Sequence, residues 1–131
     1  MGQRLRGVRV LVVEDDPDLG TMTQLFLEDE GAMVRVAQSG GDALREIDTF
    51  EPELALLDSR LPDMPGRTLS GLLHEHASSC VQVLVSGDHA EVQDWSRFGG
   101  FAVSKPYDLD EFLGILVRAV HAESHAVASG L

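Results

Sequence analysis

The stretch VRVLVVEDD, from Val8 to Asp16, decides the fold of this chain and places its functional edge. Its first six residues are apolar except for Arg9, and a Val-rich run of this length is typical of a buried strand. Three acids follow directly, Glu14, Asp15 and Asp16, and carboxylates this close together repel one another. Water, protonation or a bound cation must relieve that repulsion. The stretch alone leaves open either a divalent-cation site or a solvated acidic loop.

Length and composition indicate one soluble domain. With 131 residues there is room for a single sizeable core, and the apolar content of 44% is ordinary. The formal net charge of −12 argues against direct DNA binding and against an anionic membrane as a partner. The single cysteine, Cys80, excludes an internal disulfide and favours a cytoplasmic location. No window approaches the roughly 20 apolar residues of a membrane span, so we expect no membrane insertion.

Strand and helix patterns alternate five times along the chain. After the first strand, further strands are predicted at 32–37, 53–57, 80–85 and 100–103. The helices are predicted from Pro17, before Pro52, and at 68–77, 90–98 and 108–121. This alternation predicts an α/β fold in which a doubly wound, five-stranded parallel sheet carries helices on both faces.

On the first helix, the spacing of apolar residues predicts one inward-facing stripe. The stripe would contain Leu19, Met22, Leu25 and Phe26. The fourth helix, around Trp95, is shorter and its pattern is weaker. No apolar pattern continues beyond residue 122, so we expect an N-terminal extension at 1–6, one domain at 7–122 and a frayed tail at 123–131.

Polar residues follow the predicted strands at their carboxyl ends. The acids at 14–16 follow the first strand, and Asp58, Ser86 and Lys105 follow the third, fourth and fifth. These ends meet at one edge of a parallel sheet, where ligands bind at a topological switch point. Two or three carboxylates suffice for Mg²⁺, and one carboxylate can attack phosphorus to form an aspartyl phosphate. A lysine and a hydroxyl are suited to the phosphoryl oxygens.

Four motifs in this order carry a resemblance to a known family: VLVVEDDPD, LLDSRLPDMPG, LVSGD and SKPYDLDEF. Over about residues 7–121 the chain resembles a response-regulator receiver domain of bacterial two-component signalling. The resemblance implies a CheY-like, flavodoxin-like (βα)5 fold. It also implies that Asp58 is a phosphoacceptor, charged by a sensor histidine kinase or a histidine phosphotransfer protein. The domain would then switch a surface that contacts a downstream protein or an attached domain.

The resemblance also implies the ligands of a magnesium ion. Glu14 and Asp15 would be the acidic pair around Mg²⁺, and Asp58 and the backbone carbonyl of Arg60 would complete the protein ligands. Because the acidic run has three members, its register is ambiguous by one residue, and we assign Asp16 as the helix cap.

For the phosphoryl group, the resemblance implies that Ser86 is the switch hydroxyl and Lys105 the phosphate-contacting lysine. It further implies a cis Lys105–Pro106 bond. The chain departs from the family where Ala102 occupies a position that is often aromatic, although Phe101 is adjacent. The span from Ser86 to Lys105 is also about three residues short. Both departures concern the activation relay and leave the phosphorylation site intact.

Two other functions compete with the phosphoacceptor. A pseudo-receiver would bind proteins without taking phosphate, and the unusual relay motivates it. A magnesium phosphatase with an aspartyl nucleophile would share the chemistry, but its DxDx[TV] pattern fails because Asp16-Pro17-Asp18 is followed by Leu19 and Gly20. We therefore expect a phosphoacceptor rather than an enzyme, with at most slow hydrolysis of its own phosphate.

Overall fold

Five strands and five helices alternate in the computed structural model, which describes residues 2–97 and 100–128 and side chains as far as residue 122. The strands are β1 (Arg9–Val13), β2 (Met33–Ala37), β3 (Leu54–Asp58), β4 (Val81–Ser86) and β5 (Phe101–Ser104). The helices are α1 (Pro17–Asp29), α2 (Gly40–Phe50), α3 (Gly66–His76), α4 (His89–Arg97) and α5 (Leu109–Ala128).

The strands form one parallel sheet in the order β2-β1-β3-β4-β5, which confirms the predicted fold class. The chain leaves β1 toward β2 and returns on its other side as β3, so the topological switch lies between β1 and β3. Asp58 is the last residue of β3, paired with Val85 of β4, and does not follow the strand as predicted. The acids after β1 and the end of β3 therefore flank the switch point.

Two apolar cores lie on the two faces of the sheet. Val10 and Val12 belong to the core shared with α1 and α5, whereas Leu11 and Val13 belong to the core shared with α2 and α3. This division follows from the period of two along a strand. A strand buried on both faces has a continuous apolar run, which explains the sequence before Glu14.

The predicted inward stripe of α1 is wrong for two of its members. Met22 is 67% exposed and Leu25 is 62% exposed. The buried residues of this helix are Gly20, Thr23 and Leu27, one position away from the strongest apolar spacing. A Cβ on Gly20 would lie 3.1 Å from a methyl group of Val36, so the small residue allows α1 to lie close to β2.

Described residues near both ends of the chain belong to the packed structure. Leu5, in the predicted extension, is 1% exposed and packs in the α1–α5 core. Helix α5 continues beyond His121 to Ala128, and residues 129–131 of the predicted tail lie outside the described part. Phe98, the expected end of the fourth helix, also lies outside it. None of the described helices has both the length and the apolar character needed to cross a membrane.

Candidate functional site

Three of the predicted site residues meet at the carboxyl edge of the sheet. Lys105 follows β5, and its Nζ lies 3.3 Å from Glu14 Oε1 and 3.3 Å from Asp58 Oδ2. The Lys105 backbone N–H donates to the Ser86 carbonyl at 2.8 Å, which holds the start of this loop against β4. The Lys105–Pro106 bond is cis, as predicted. The convergence predicted from the strand ends is therefore present for these three side chains.

An acidic cluster lies around the lysine. Glu14, Asp15 and Asp58 each place a carboxylate oxygen within 4.8 Å of the others. Glu14 is 6% exposed and the Asp58 side chain is 11% exposed, while Asp15 is open to solvent. The Asp16 carboxylate points elsewhere and accepts from two N–H groups in the first turn of α1, at 3.0 and 3.3 Å. The prediction that Asp16 caps this helix is confirmed.

The cluster shifts the protonation of Glu14 and of Lys105. Burial, followed by a hydrogen bond to Asp58, raises the pKa of Glu14 to about 7, against the opposing effect of the Asp16 N–H. Burial alone would lower the pKa of Lys105, but attraction to Asp58 and to Glu14 outweighs it, so that pKa is raised. One positive charge thus faces two buried acids, and the surplus negative charge favours either a proton or a cation.

The loop between β3 and α3 holds the Asp58 side chain through a backbone hydrogen bond. The Arg60 N–H donates to Asp58 Oδ1 at 3.1 Å, and the Gly66 N–H donates to the Ser59 carbonyl at 2.9 Å. A bridge between Arg60 and Pro65 closes the loop. The role implied for the Arg60 carbonyl as a metal ligand stays a prediction.

Asp63 ties the same loop to α2. Its two carboxylate oxygens accept from the N–H groups of Gly40 and Gly41, each at 2.9 Å, and these bonds lower its pKa. Unpaired N–H groups at a helix N-terminus attract a carboxylate. These partners lie more than twenty positions away in the chain, so local sequence patterns do not indicate the bonds.

Ser86 makes contacts that the sequence did not predict. Its side chain is almost fully buried, with 1% exposure. Its Oγ accepts from Ser59 Oγ at 3.0 Å and from the Asp88 N–H at 3.0 Å, and it donates to Glu91 Oε2 at 3.2 Å. Ser59 and Glu91 had no recognised role, although Ser59 directly follows Asp58 in the chain.

Phe101, the residue before Ala102, does not supply an aromatic side chain at the position of Ala102. Phe101 packs against the core shared with α1 and α5. Neighbouring residues of a strand point to opposite faces, so Phe101 and Ala102 lie on different sides of the sheet. Ala102 therefore presents only a methyl group on its own side of the sheet, and Phe101 supplies no aromatic ring there.

An open cleft of about 730 Å³ adjoins the cluster. Its walls come from the ends of β1, β3, β4 and β5 and from the start of α4, and include Asp15, Asp58, Ser86, His89 and Lys105. The mixture of carboxylates, one hydroxyl and one lysine suits an anionic group that is bound together with a cation. His89 in this wall was not identified from the sequence.

The chain is similar to known proteins over most of its length. The family model for the response regulator receiver domain matches residues 10–116. The chain is similar to the transcriptional regulatory protein KdpE of Mycobacterium tuberculosis, with 33% identity over 119 residues, covering 89% of this chain and 53% of that protein. It is also similar to the DNA-binding transcriptional regulator NtrC of Proteus hauseri, with 26% identity over 114 residues, covering 85% and 24%. The chain thus spans about half or less of these curated relatives.

Solved structures are similar over nearly their whole length. A CheY-like response regulator receiver domain protein from Methanospirillum hungatei JF-1 has a TM-score of 0.82 and 28% identity, covering 92% of this chain and 98% of that chain. A sensor protein from Polaromonas sp. JS666 has a TM-score of 0.79 and 25% identity, covering 88% and 98%.

Proposed function

The chain belongs to the response-regulator receiver family of two-component systems, and from that premise we propose that Asp58 is its phosphoacceptor. The contact of Lys105 Nζ with both Asp58 and Glu14, inside an acidic cluster, carries this proposal. A sensor histidine kinase or a histidine phosphotransfer protein would supply the phosphoryl group. The modified domain would then act on a downstream protein or an attached domain.

The transfer step uses the groups already in place. A carboxylate oxygen of Asp58 attacks phosphorus, the new O–P bond forms, and the bond from phosphorus to the donor nitrogen breaks, with the electron pair leaving on that nitrogen. The Lys105 ammonium contacts one equatorial oxygen of the phosphoryl group and offsets its charge. The Arg60 N–H holds the carboxylate in orientation through Oδ1. Positioning and charge neutralisation are the main contributions of the protein in such a transfer.

The donor set of the cluster fits Mg²⁺. Glu14, Asp15 and Asp58 offer only carboxylate oxygens, and Mg²⁺ takes one or two carboxylates while it keeps several waters. When bound, the ion neutralises charge on the phosphoryl oxygens. We therefore propose these acids, together with the Arg60 carbonyl, as its protein ligands.

The raised pKa of Glu14 predicts that, in the absence of metal, the stability of the chain depends on pH. Its pKa rises from the ordinary 4.5 to about 7 on folding, so the folded chain holds this proton more tightly. The resulting stabilisation is complete below about pH 4.5 and disappears as the pH rises through about 7. We expect the melting temperature in chelator to fall over this window more steeply in the wild type than in Glu14→Gln.

Magnesium should reverse this effect at the upper end of the window. Binding requires the deprotonated carboxylate, so the stabilisation by Mg²⁺ should increase with pH. Melting curves with chelator and with Mg²⁺, recorded across the window for both proteins, check the prediction. Parallel curves for the wild type and Glu14→Gln would contradict it.

An exposed apolar groove adjoins the site and favours a protein donor. Met22 and Leu109 are 67% and 52% exposed and line a groove of about 550 Å³ that also includes Lys105. A donor that brings a phosphorylated histidine to Asp58 must cover the surface around Lys105. Exposed apolar patches beside a polar site are typical of protein contacts. We propose that the phosphodonor packs apolar side chains into this groove.

The variant Met22→Glu should separate binding of the protein donor from the chemical step of phosphoryl transfer. We expect it to slow transfer from a histidine phosphotransfer protein that phosphorylates the wild type, on the order of tenfold, because a charge enters an apolar contact. Labelling by acetyl phosphate should not change. Met33→Glu is the matched control, since Met33 is also exposed, at 56%, but lies on β2. Equal slowing with both donors, or in both variants, would rule out docking at this groove.

Stoichiometry distinguishes the phosphoacceptor from its alternatives. Incubation with acetyl phosphate and Mg²⁺ should modify one site per chain, at Asp58, as read by intact and peptide mass spectrometry. Continuous turnover of a phosphoester would instead favour the phosphatase. A chain that takes neither label nor a phosphoryl analogue would be a pseudo-receiver.

A further inference from the structure

The hydroxyl of Ser86 has used all of its hydrogen-bonding capacity. A serine hydroxyl has one proton to donate and two lone pairs to accept with. Here Ser86 accepts from Ser59 Oγ and from the Asp88 N–H, and it donates its only proton to Glu91 Oε2. Ser86 therefore cannot donate to a phosphoryl oxygen on Asp58 unless it gives up Glu91.

Glu91 belongs to a helix that packs against β4 and β5 without burying any residue fully. It lies in the first turn of α4, where Asp88 caps the N–H groups of Ala90 and Glu91 at 2.9 and 3.3 Å. None of the nine residues of α4, all of them described, is buried. The ion pair between Arg67 and Asp94 also reaches this helix, but it is largely exposed and such pairs contribute little. The partly buried bond from Ser86 to Glu91 thus joins the first turn of α4 to the end of β4.

We propose that Glu91 is a positioning residue that holds the Ser86 proton in the unphosphorylated chain. After phosphorylation, a phosphoryl oxygen on Asp58 and the carboxylate of Glu91 compete for the single hydroxyl proton of Ser86. If the phosphoryl oxygen accepts it, the first turn of α4 loses this bond to β4. The inference rests on the proposed function, because it concerns the response of the same site to its phosphoryl group. By linkage, whatever weakens the tie to Glu91 must strengthen binding of a phosphoryl analogue.

The affinity for beryllofluoride with Mg²⁺ tests this competition. We expect Glu91→Ala to bind the analogue about fivefold more tightly than the wild type, and Glu91→Gln to be intermediate, because a neutral acceptor holds the proton less strongly. Glu75→Ala, which removes an exposed acid from the far end of α3, should bind like the wild type. Calorimetric titration measures all four proteins.

A second background separates proton competition from simple charge repulsion. In Ser86→Ala there is no proton to compete for, so adding Glu91→Ala should leave the affinity unchanged. If Glu91 acted only by repelling the anionic analogue, the fivefold gain would persist in this background. Such persistence, or no gain in the single variant, would overturn the inference.

Trp95 provides an independent spectroscopic readout. It is the only tryptophan in the chain and lies in α4, one turn after Glu91. Its indole Nε1 is buried without a hydrogen-bond partner among the described residues, so its emission depends on how the helix packs. Beryllofluoride should shift the Trp95 emission of the wild type. The Glu91→Ala variant without beryllofluoride should already show part of that shift.

The outcomes separate this inference from the proposed function. If the wild type binds no analogue, both are wrong. If the wild type binds the analogue and takes phosphate while Glu91→Ala matches it in affinity and in emission, the phosphoacceptor stands and only the role of Glu91 is rejected.

Discussion

The variant Asp58→Asn should incorporate no phosphoryl group from acetyl phosphate under conditions that label the wild type once per chain. An amide oxygen lacks the negative charge and nucleophilicity of a carboxylate, so the O–P bond does not form. Asparagine has nearly the same shape and retains an acceptor for the Arg60 N–H. The loss should therefore be chemical, and the melting temperature should show a folded protein.

Asp16→Asn is the matched control for this loss. It also removes one acid from the same edge, but its side chain caps α1, and asparagine is an equally good cap. We expect normal labelling and normal stability. Labelling of Asp58→Asn, or its loss in Asp16→Asn, would contradict the assignment of Asp58 and the register of the acidic run.

Gly66→Ala should destabilise the chain and damage the site together. A Cβ at this position would lie 2.5 Å from the carbonyl oxygen of Asp58 and 3.0 Å from Ser59 Cα. Both neighbours are backbone atoms, so β3 or the start of α3 must move. Overpacking of this kind costs about 1–3 kcal/mol. Urea unfolding should show the lower stability, and labelling by acetyl phosphate should slow because the Asp58 backbone shifts.

Gly71→Ala, in the same helix, should instead stabilise the chain and leave the site intact. Apart from its chain neighbours and the nearby backbone of its own helix, no described atom lies within 4 Å of the Cβ that this change would add, and the residue is exposed. Replacing an exposed helical glycine by alanine stabilises by about 1 kcal/mol. Labelling should stay at the wild-type rate. If the two variants had similar stability, the close contact between Gly66 and Asp58 would not be a real constraint.

The fold was predictable because its signals are local. The alternation of apolar runs and helical spacing along the chain predicted five βα units, and parallel strands bring their carboxyl ends to one edge. For the same reason the meeting of Glu14, Asp58 and Lys105 could be expected from the sequence. These residues stand at strand ends, where position in the chain determines position in the fold.

Other features of the fold and of the site could not be predicted from the sequence pattern. The apolar spacing of α1 does not distinguish side chains that face the core from side chains that face a partner, so Met22 and Leu25 were placed wrongly. The bonds of Ser86 to Ser59 and of Asp63 to α2 join residues 22 to 27 positions apart through single polar atoms. Periodicity reports on faces, and it contains no information about which individual polar atoms meet across a fold.

The two sides of the Asp58 pocket differ in how their residues are bonded and buried. On one side, Asp63 fastens the loop to α2 and Gly66 lies against the Asp58 carbonyl, so little displacement is available. On the other side, α4 has no buried residue. If Asp58 is phosphorylated as proposed, the added charge should displace the α4 side more easily than the loop that Asp63 and Gly66 hold. Under the proposed function, a partner that distinguishes the two states should contact the surface around α4, whereas a partner seated on α2 and α3 would meet the same surface in both.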